Sequence, residues 1–203
     1  MRTDGIYGFY PIVDSYEWIA RLLPLGVKTI QLRIKDKPSE EVRQPIRDAI
    51  ALALRYDCQL VINDYWQLAL ELGAEFIHLG QEDLDEADKD TIRNSGLKLG
   101  ISTHTDDELT RALDWPHDHI ALGPVYETTL KVMSYAPQGL ERVGIWQQKI
   151  DCPLIGIGGI NLDRAPLVLD AGADAIAVVT DVVFNPHPEQ RVEQWLELFS
   201  KRN

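Results

Sequence analysis

Two apolar runs in the first half of the chain end on acids. Leu60–Asp64 (LVIND) ends on Asn63 and Asp64, and Phe76–Asp83 (FIHLGQED) ends on Asp83. Apolar runs of this length are typical of buried strands, and an acid that follows one either caps the next helix or holds a ligand. Two such carboxylates on neighbouring strands could share Mg²⁺, which takes one or two protein carboxylates and completes its shell with phosphate oxygens and water.

Cations and hydroxyls follow other apolar runs. In QLRIK, Gln31, Arg33 and Lys35 alternate, so we expect all three side chains to point the same way along a strand. The other polar residues in such positions are Ser102, Thr128, Thr129 and Lys131. Acids beside cations indicate a site for a polyanion bridged by a divalent ion. The alternative is that Arg33 and Lys35 are rim charges that pair with Asp64 and bind no ligand.

A glycine-rich segment indicates a second anion site. Gly156–Ile160 reads GIGGI, and the next apolar run ends on Val179 and Thr180, which open a helix. Glycines allow backbone N–H groups to approach an anion, and helix N-termini carry partial positive charge. The segment therefore predicts a phosphate cradle, with a simple tight turn as the alternative.

The histidines and cysteines suggest no covalent catalyst. His78 fits a core histidine, and His117 and His119 flank an acid before a strand, at the end away from the other candidates. Cys58 and Cys152 form no CxxC pair and are expected to be free thiols. Neither a Cys–His nor a Ser–His pair stands out as a nucleophile.

The elements that must position these residues alternate regularly between apolar runs and amphipathic segments. Eight strands are expected within 6–13, 27–34, 59–63, 75–79, 97–102, 118–125, 152–160 and 173–179, each followed by a helix. This pattern predicts one domain over residues 1–203, a (β/α)₈ TIM barrel whose site lies at the carboxyl ends of the strands. An open doubly wound sheet is the alternative and usually has fewer strands for this length.

The composition of the chain limits the classes of molecule that it is expected to bind. The net charge is −12 among 203 residues, which argues against nucleic acid and leaves small anionic ligands open. No apolar run approaches the roughly 18–20 residues of a membrane span, and the N-terminus lacks the apolar core of a signal peptide. We expect a cytoplasmic protein. The sequence leaves a homo-oligomer possible, because no residue pattern on the helix faces indicates or excludes an interface.

Several motifs, in this order along the chain, resemble those of the thiamine-phosphate synthase family. They are QLRIK, IND, HLGQEDL, GIST, GPVY followed by a Thr-x-x-Lys spacing, IGGI and AVVT, which together cover the chain from Tyr10 to about Thr180. The resemblance implies a TIM barrel that joins a hydroxymethylpyrimidine diphosphate to a thiazole phosphate. The products are thiamine phosphate and diphosphate, and the reaction uses one Mg²⁺ per subunit.

The resemblance also assigns residues to roles. Asp64 and Asp83 match the Mg²⁺ ligands. The residues that match the pyrimidine diphosphate site are Gln31, Leu32, Arg33, Ile34, Lys35, Asn63, Ser102 and Lys131, of which Arg33, Lys35, Ser102 and Lys131 are expected to act in catalysis. The residues that match the thiazole phosphate site are Thr128, Thr129 and Leu130 in a loop, and Gly159, Val179 and Thr180 in the cradle.

One loop departs from the family pattern. The family usually reads Pro-Thr-x-Thr-Lys, whereas this chain has Glu127 in place of the proline and Leu130 in place of the second threonine. A related barrel, the thiazole tautomerase, shifts protons on the thiazole phosphate and needs no diphosphate site, and some of its loops resemble this one. The tautomerase is therefore the alternative function, and a barrel that binds a phosphorylated ligand without turnover is a third reading.

Overall fold

The computed structural model describes residues 8–128 and 136–202 of the chain. Within them, eight strands form one closed parallel barrel in which each strand pairs with the next along the sequence. The strands are β1 (Phe9–Val13), β2 (Thr29–Leu32), β3 (Gln59–Asn63), β4 (Phe76–Leu79), β5 (Lys98–Thr103), β6 (His119–Leu122), β7 (Leu154–Ile157) and β8 (Ala175–Val178). The predicted (β/α)₈ TIM barrel is confirmed.

Pairing between the last and first strands closes the barrel. Tyr10 of β1 lies opposite Ala177 of β8, and Ile12 lies opposite Gln31 of β2. β3 has its predicted bounds and β5 its predicted length, whereas the other strands are shorter than the apolar runs that predicted them, because the ends of those runs lie outside the strand ladder. Ile6, in the first predicted strand, lies outside the described residues.

Helices cover the outside of the barrel. They are α1 (Tyr16–Leu22), α2 (Ser39–Arg55), α3 (Trp66–Leu72), α4 (Asp83–Glu86), α5 (Lys89–Ser95), α6 (Asp106–Leu113), α7 (Gly139–Lys149), α8 (Ala165–Asp170), α9 (Thr180–Val183) and α10 (Pro188–Ser200). The sequence predicted one polar helix where α4 and α5 lie. The two are separate because Ala87 is extended and the Asp88 side chain accepts hydrogen bonds from the backbone N–H groups of Asp90 and Thr91.

The apolar residues form two cores. The larger one fills the layer between helices and strands and includes the fully buried Trp146 and Trp195. The smaller one lies inside the barrel and includes Tyr10, Val61 and Ile155. Since side chains alternate along each strand, the residues that point inward also line the mouth of the barrel. No helix within residues 8–128 and 136–202 has the length and apolar character needed to span a membrane.

Candidate active site at the barrel mouth

The carboxylates of Asp64 and Asp83 meet where β3 and β4 end. Each lies close enough to the other for a hydrogen bond when one of them is protonated. Lys35, which follows β2, places its Nζ 2.5 Å from Oδ2 of Asp64. The backbone N–H of Gly80 donates to Oδ2 of Asp83 over 2.9 Å. The structure thus brings together the two acids and one of the cations that the sequence singled out.

Asp64 is held in an unfavourable state. Its φ of +65° lies in the left-handed region that residues other than glycine seldom adopt. Burial raises the pKa of its carboxyl, Lys35 opposes that rise, and the neighbouring Asp83 adds to it. Asp64 does not cap α3, whose first turn has Tyr65 at the capping position without a side-chain hydrogen bond. Asp36 and Asp57 also have positive φ, and what distinguishes Asp64 is that this conformation coincides with a partly buried carboxylate beside a second one, as is typical of a functional site.

The pair of carboxylates suits a divalent cation that takes further ligands from a substrate. Over residues 8–128 and 136–202, no three His, Cys, Asp or Glu side chains come together to hold a metal ion without help. Mg²⁺ has no need of such a cage, because it commonly binds through one or two carboxylates together with phosphate oxygens and water. Burial and, to a lesser extent, the negative charge of Asp83 raise the pKa of Asp64, and a bound cation would stabilise both carboxylates in their charged forms.

Polar side chains line the barrel beneath the acids. Gln31 is buried and its Nε2 donates to the hydroxyl of Tyr10 over 2.7 Å. His78 places its Nε2 2.7 Å from Oγ of Ser102. Asn63 is buried, and its Nδ2 has no hydrogen-bond partner among the described residues. Of the three, Asn63 therefore keeps a buried donor without a partner, whereas Gln31 and His78 are bonded within the barrel.

Not every residue of the QLRIK segment faces this space. Leu32 is buried in the core between helices and strands, and Ile34 packs partly against the same core. A ligand contact by either of them would therefore use backbone atoms. Burial is the main cause of the lowered pKa of His78, and the charges of Arg33 and Lys35 lower it further, so both cations lie within electrostatic range of His78. Lys35 pairs with Asp64 as the rim-charge alternative expects, and an exchangeable, partly exposed pair is compatible with ligand binding.

His119 was missed as a site residue. It is the first residue of β6, within the strand predicted over 118–125, and it lies inside the barrel beside His78 and not away from the other candidates. Its ring stacks on that of His78 with the centroids 5.6 Å apart. A sequence signal existed: glycine at position 100 is the inward-facing residue of β5 between these two strands, and it leaves the space that two rings require.

The glycine segment forms an open cleft on the opposite side of the mouth. Gly158 and Gly159 have φ values of +94° and +65°. A side chain at position 159 would lie 2.3 Å from the backbone oxygen of Glu127, so the loop after β6 packs directly on this turn. The cleft has a volume of about 310 Å³ and is lined by Glu127, Thr128, Gly159, Ile160, Asn161, Arg164, Thr180 and Asp181.

Arg164 is a second residue that sequence reasoning missed. Its Nη1 donates to the carbonyl oxygen of Gly159 over 2.6 Å, and its guanidinium lies 4.6 Å from the centre of the Tyr126 ring. Of the described residues that line the cleft, Arg164 is the cationic one. Val179 packs partly on the barrel interior, and Thr180 begins α9 at the edge of the cleft. The expected roles of Thr129, Leu130 and Lys131 fall outside the described residues.

The family model and the relatives most similar in sequence indicate one family. The family model described as thiamine monophosphate synthase matches residues 9–182. Thiamine-phosphate synthase of Rhizobium etli is 57% identical over 197 residues, which cover 97% of this chain and 95% of that one. Its counterpart in Serratia proteamaculans is 50% identical and covers 97% and 93%. A solved structure of thiamine phosphate pyrophosphorylase from Pyrococcus furiosus has a TM-score of 0.83 at 27% identity, covering 96% of both chains.

The chain therefore belongs to the thiamine monophosphate synthase family. The resemblance stated from its motifs is confirmed, and the comparisons give the tautomerase alternative no support.

Proposed function

We propose that this protein condenses 4-amino-2-methyl-5-(diphosphooxymethyl)pyrimidine with 4-methyl-5-(2-phosphooxyethyl)thiazole, giving thiamine phosphate and diphosphate. It is a transferase of thiamine biosynthesis. The observation that carries the proposal at the level of the site is the meeting of Asp64, Asp83 and Lys35 at one side of the mouth, opposite a glycine cleft. One side suits a diphosphate with a divalent ion, and the other suits a single phosphate.

The departing diphosphate sets the main electrostatic task. The bond that breaks joins an oxygen of the diphosphate to a carbon attached to an electron-rich aminopyrimidine, which can stabilise positive charge on that carbon and so favours a dissociative path. In this proposal Arg33, Lys35 and Lys131 stabilise the negative charge that develops on the leaving group. Charges in a half-buried mouth act more strongly on the leaving group than they would in bulk water.

Asp64 and Asp83 would hold one Mg²⁺ per subunit. When bound, that ion neutralises charge on the diphosphate and fixes its orientation. The support for this assignment is the crowding of two carboxylates at a left-handed, partly buried position. Lys35 would exchange its contact with Asp64 for one with the diphosphate.

The second substrate would be held by its phosphate. The backbone around Gly159, Val179 and Thr180, with the hydroxyl of Thr128, is proposed to bind that phosphate, so that the thiazole nitrogen faces the electrophilic carbon of the pyrimidine. Holding two substrates in one mouth contributes a large share of the rate through proximity and orientation. The reaction needs no nucleophilic side chain, in keeping with Cys58, whose thiol pKa burial raises to about 12.

The same proposal includes a cytoplasmic location, a single catalytic domain over residues 1–203 and small molecules rather than nucleic acid as partners.

An end-point assay for thiamine phosphate tests the proposal. The purified chain is incubated with both substrates in the presence of Mg²⁺ or of EDTA, and a parallel sample contains the thiazole phosphate alone. We expect product with Mg²⁺ and none with EDTA. Absence of product with both substrates and Mg²⁺ would contradict the transferase, and equal product in EDTA would contradict the metal assignment. Isomerisation of the thiazole phosphate alone would support the tautomerase instead.

A further inference from the structure

Two buried histidines lie one above the other inside the barrel, beneath the proposed diphosphate site. His78 is 6% exposed and His119 is 1% exposed. Burial lowers the pKa of His78 to about 4 and that of His119 well below its ordinary value. Both imidazoles are therefore neutral near pH 7. Each neutral ring carries one N–H donor and one nitrogen acceptor, and the choice of tautomer decides which nitrogen does which.

One nitrogen of each ring faces the same small space. Nδ1 of His78 and Nε2 of His119 are buried and have no hydrogen-bond partner among the described residues. A side-chain carbon built on Gly100 would lie 2.7 Å from the first and 2.0 Å from the second. Because Gly100 has no side chain, the His119 ring occupies this position, and the two nitrogens without partners lie next to each other there. A buried polar atom without a partner costs free energy, so these two atoms are expected to interact there, directly or through one water.

The other ring nitrogen of His78 contacts Ser102, a residue that is proposed to bind the substrate. Its Nε2 lies 2.7 Å from Oγ of Ser102. If Nδ1 of His78 accepts a hydrogen bond, Nε2 must carry the proton and donate to Ser102. The hydroxyl proton of Ser102 is then free to donate toward the mouth. If Nδ1 donates instead, Ser102 must donate to His78 and offers only lone pairs to a ligand.

We propose that His119 is a positioning residue that sets the direction of this hydrogen-bond chain: His119 Nε2–H donates toward His78 Nδ1, His78 Nε2–H donates to Ser102, and Ser102 donates to the pyrimidine substrate. The substrate sets the direction of this hydrogen-bond chain. Its diphosphate has only hydrogen-bond acceptors, so the Ser102 hydroxyl must donate to it. No proton is transferred, since the chain acts by keeping the Ser102 hydroxyl oriented. The role assigned to Ser102 rests on the proposed function, whereas the tautomers are a property of the protein without ligands.

The tautomers can be measured directly. In protein labelled with ¹⁵N-histidine, long-range ¹H–¹⁵N spectra distinguish the two neutral tautomers of each of the five histidines. His78→Gln and His119→Gln assign the signals. We expect both His78 and His119 to carry their proton on Nε2. A proton on Nδ1 of His78 would overturn the proposal, whatever the activity of the protein.

Variants at position 119 separate positioning from packing. His119→Phe keeps a ring and loses the donor, and we expect kcat to fall about tenfold with the KM for thiazole phosphate unchanged. His119→Gln keeps an N–H near the Nε2 position and should retain most of the activity. The matched control, His187→Phe, changes a histidine at the start of α10 and should leave kcat at the wild-type value.

A double variant completes the test. In a Ser102→Ala background, His119→Phe should lower kcat no further, because the group that the chain orients is gone. Equal tenfold losses in both backgrounds, or a His119→Gln variant as slow as His119→Phe while both unfold near the wild-type temperature, would assign His119 to packing alone. Wild-type protein without synthase activity would contradict the proposed function but leave the tautomer measurement to decide on the chain.

Discussion

The two sides of the barrel mouth handle negative charge by different means. Beside β2, β3 and β4 the groups are charged side chains, with Lys35 paired to Asp64 and Asp83 next to it. Beside β7 and β8 the cleft is built on backbone, with Gly158 and Gly159 in left-handed conformations. The first side keeps repelling carboxylates together and stores strain. The second carries Arg164 as its cation beside Glu127 and Asp181, and it depends on the close approach of two loops.

This difference teaches how each side should respond to mutation. Removing a charge from the side of Asp64 and Asp83 should lower catalysis and leave the fold intact or more stable. Adding atoms at Gly159 should weaken both binding and the fold, because the atoms it would meet belong to the backbone of Glu127 and to Tyr126 close to its backbone, which cannot move away as the end of a flexible side chain could. The four predictions that follow separate the two sides, beginning with the largest effect.

Asp83→Asn should cause the greatest loss of activity. The amide retains the shape of the carboxylate and the acceptor for the Gly80 N–H, but it removes one of two charges available to a divalent ion. We expect kcat to fall by on the order of 10²–10³-fold at saturating Mg²⁺, measured by formation of thiamine phosphate. Asp90→Asn, on the exposed face of α5, is the control. Normal turnover by Asp83→Asn would remove Asp83 from the metal site.

Gly159→Ala should damage the opposite side. Its φ of +65° disfavours alanine, and the new methyl carbon would lie 2.3 Å from the backbone oxygen of Glu127. We expect the KM for thiazole phosphate to rise at least about tenfold and the free energy of unfolding to fall by about 1–3 kcal/mol. Gly144→Ala in α7 has ordinary helical geometry and should be tolerated. A Gly159→Ala protein with unchanged KM would show that the cleft does not bind the thiazole phosphate.

Arg164→Gln should have a smaller effect on the same substrate. The guanidinium lines the cleft and is fixed by the Gly159 carbonyl and the Tyr126 ring, so it can contribute charge to phosphate binding. Because Arg164 is exposed, we expect only about a three- to tenfold rise in the KM for thiazole phosphate. The KM for the pyrimidine diphosphate should not change. Arg21→Gln on α1 is the control, and a rise in both KM values would place Arg164 outside the thiazole side.

Asp64→Asn should stabilise the metal-free protein while inactivating it. The substitution removes a partly buried charge that Asp83 repels, and asparagine adopts the left-handed conformation at least as readily as aspartate. We expect about 1 kcal/mol of added stability in urea unfolding with EDTA. Asp57→Asn has a similar φ of +50° but a fully exposed side chain, so it isolates the backbone effect. Equal gains in stability for Asp64→Asn and Asp57→Asn would mean that the buried charge of Asp64 does not destabilise the protein.

Much of the fold and part of the site could be predicted from the sequence. Buried parallel strands read as continuous apolar runs, so β3 and β4 were found with bounds close to those observed, and their ends brought Asp64 and Asp83 together. The stacking of His119 on His78 could not be foreseen, since it depends on the register of three strands around Gly100. The position of Arg164 could not be foreseen either, because it depends on contacts with the loop that follows β6.

The closure of the barrel also determines when, during its synthesis, the chain can first bind its substrates. The last strand pairs with the first, Ile176 beside Phe9, and the backbone N–H of Ile176 donates to the carbonyl of Gly8. The ribosome must therefore release almost the whole polypeptide before the ring of strands can be completed. Until then the residues near Asp64 and those near Thr180 belong to an unfinished sheet, and a nascent chain cannot capture either substrate productively.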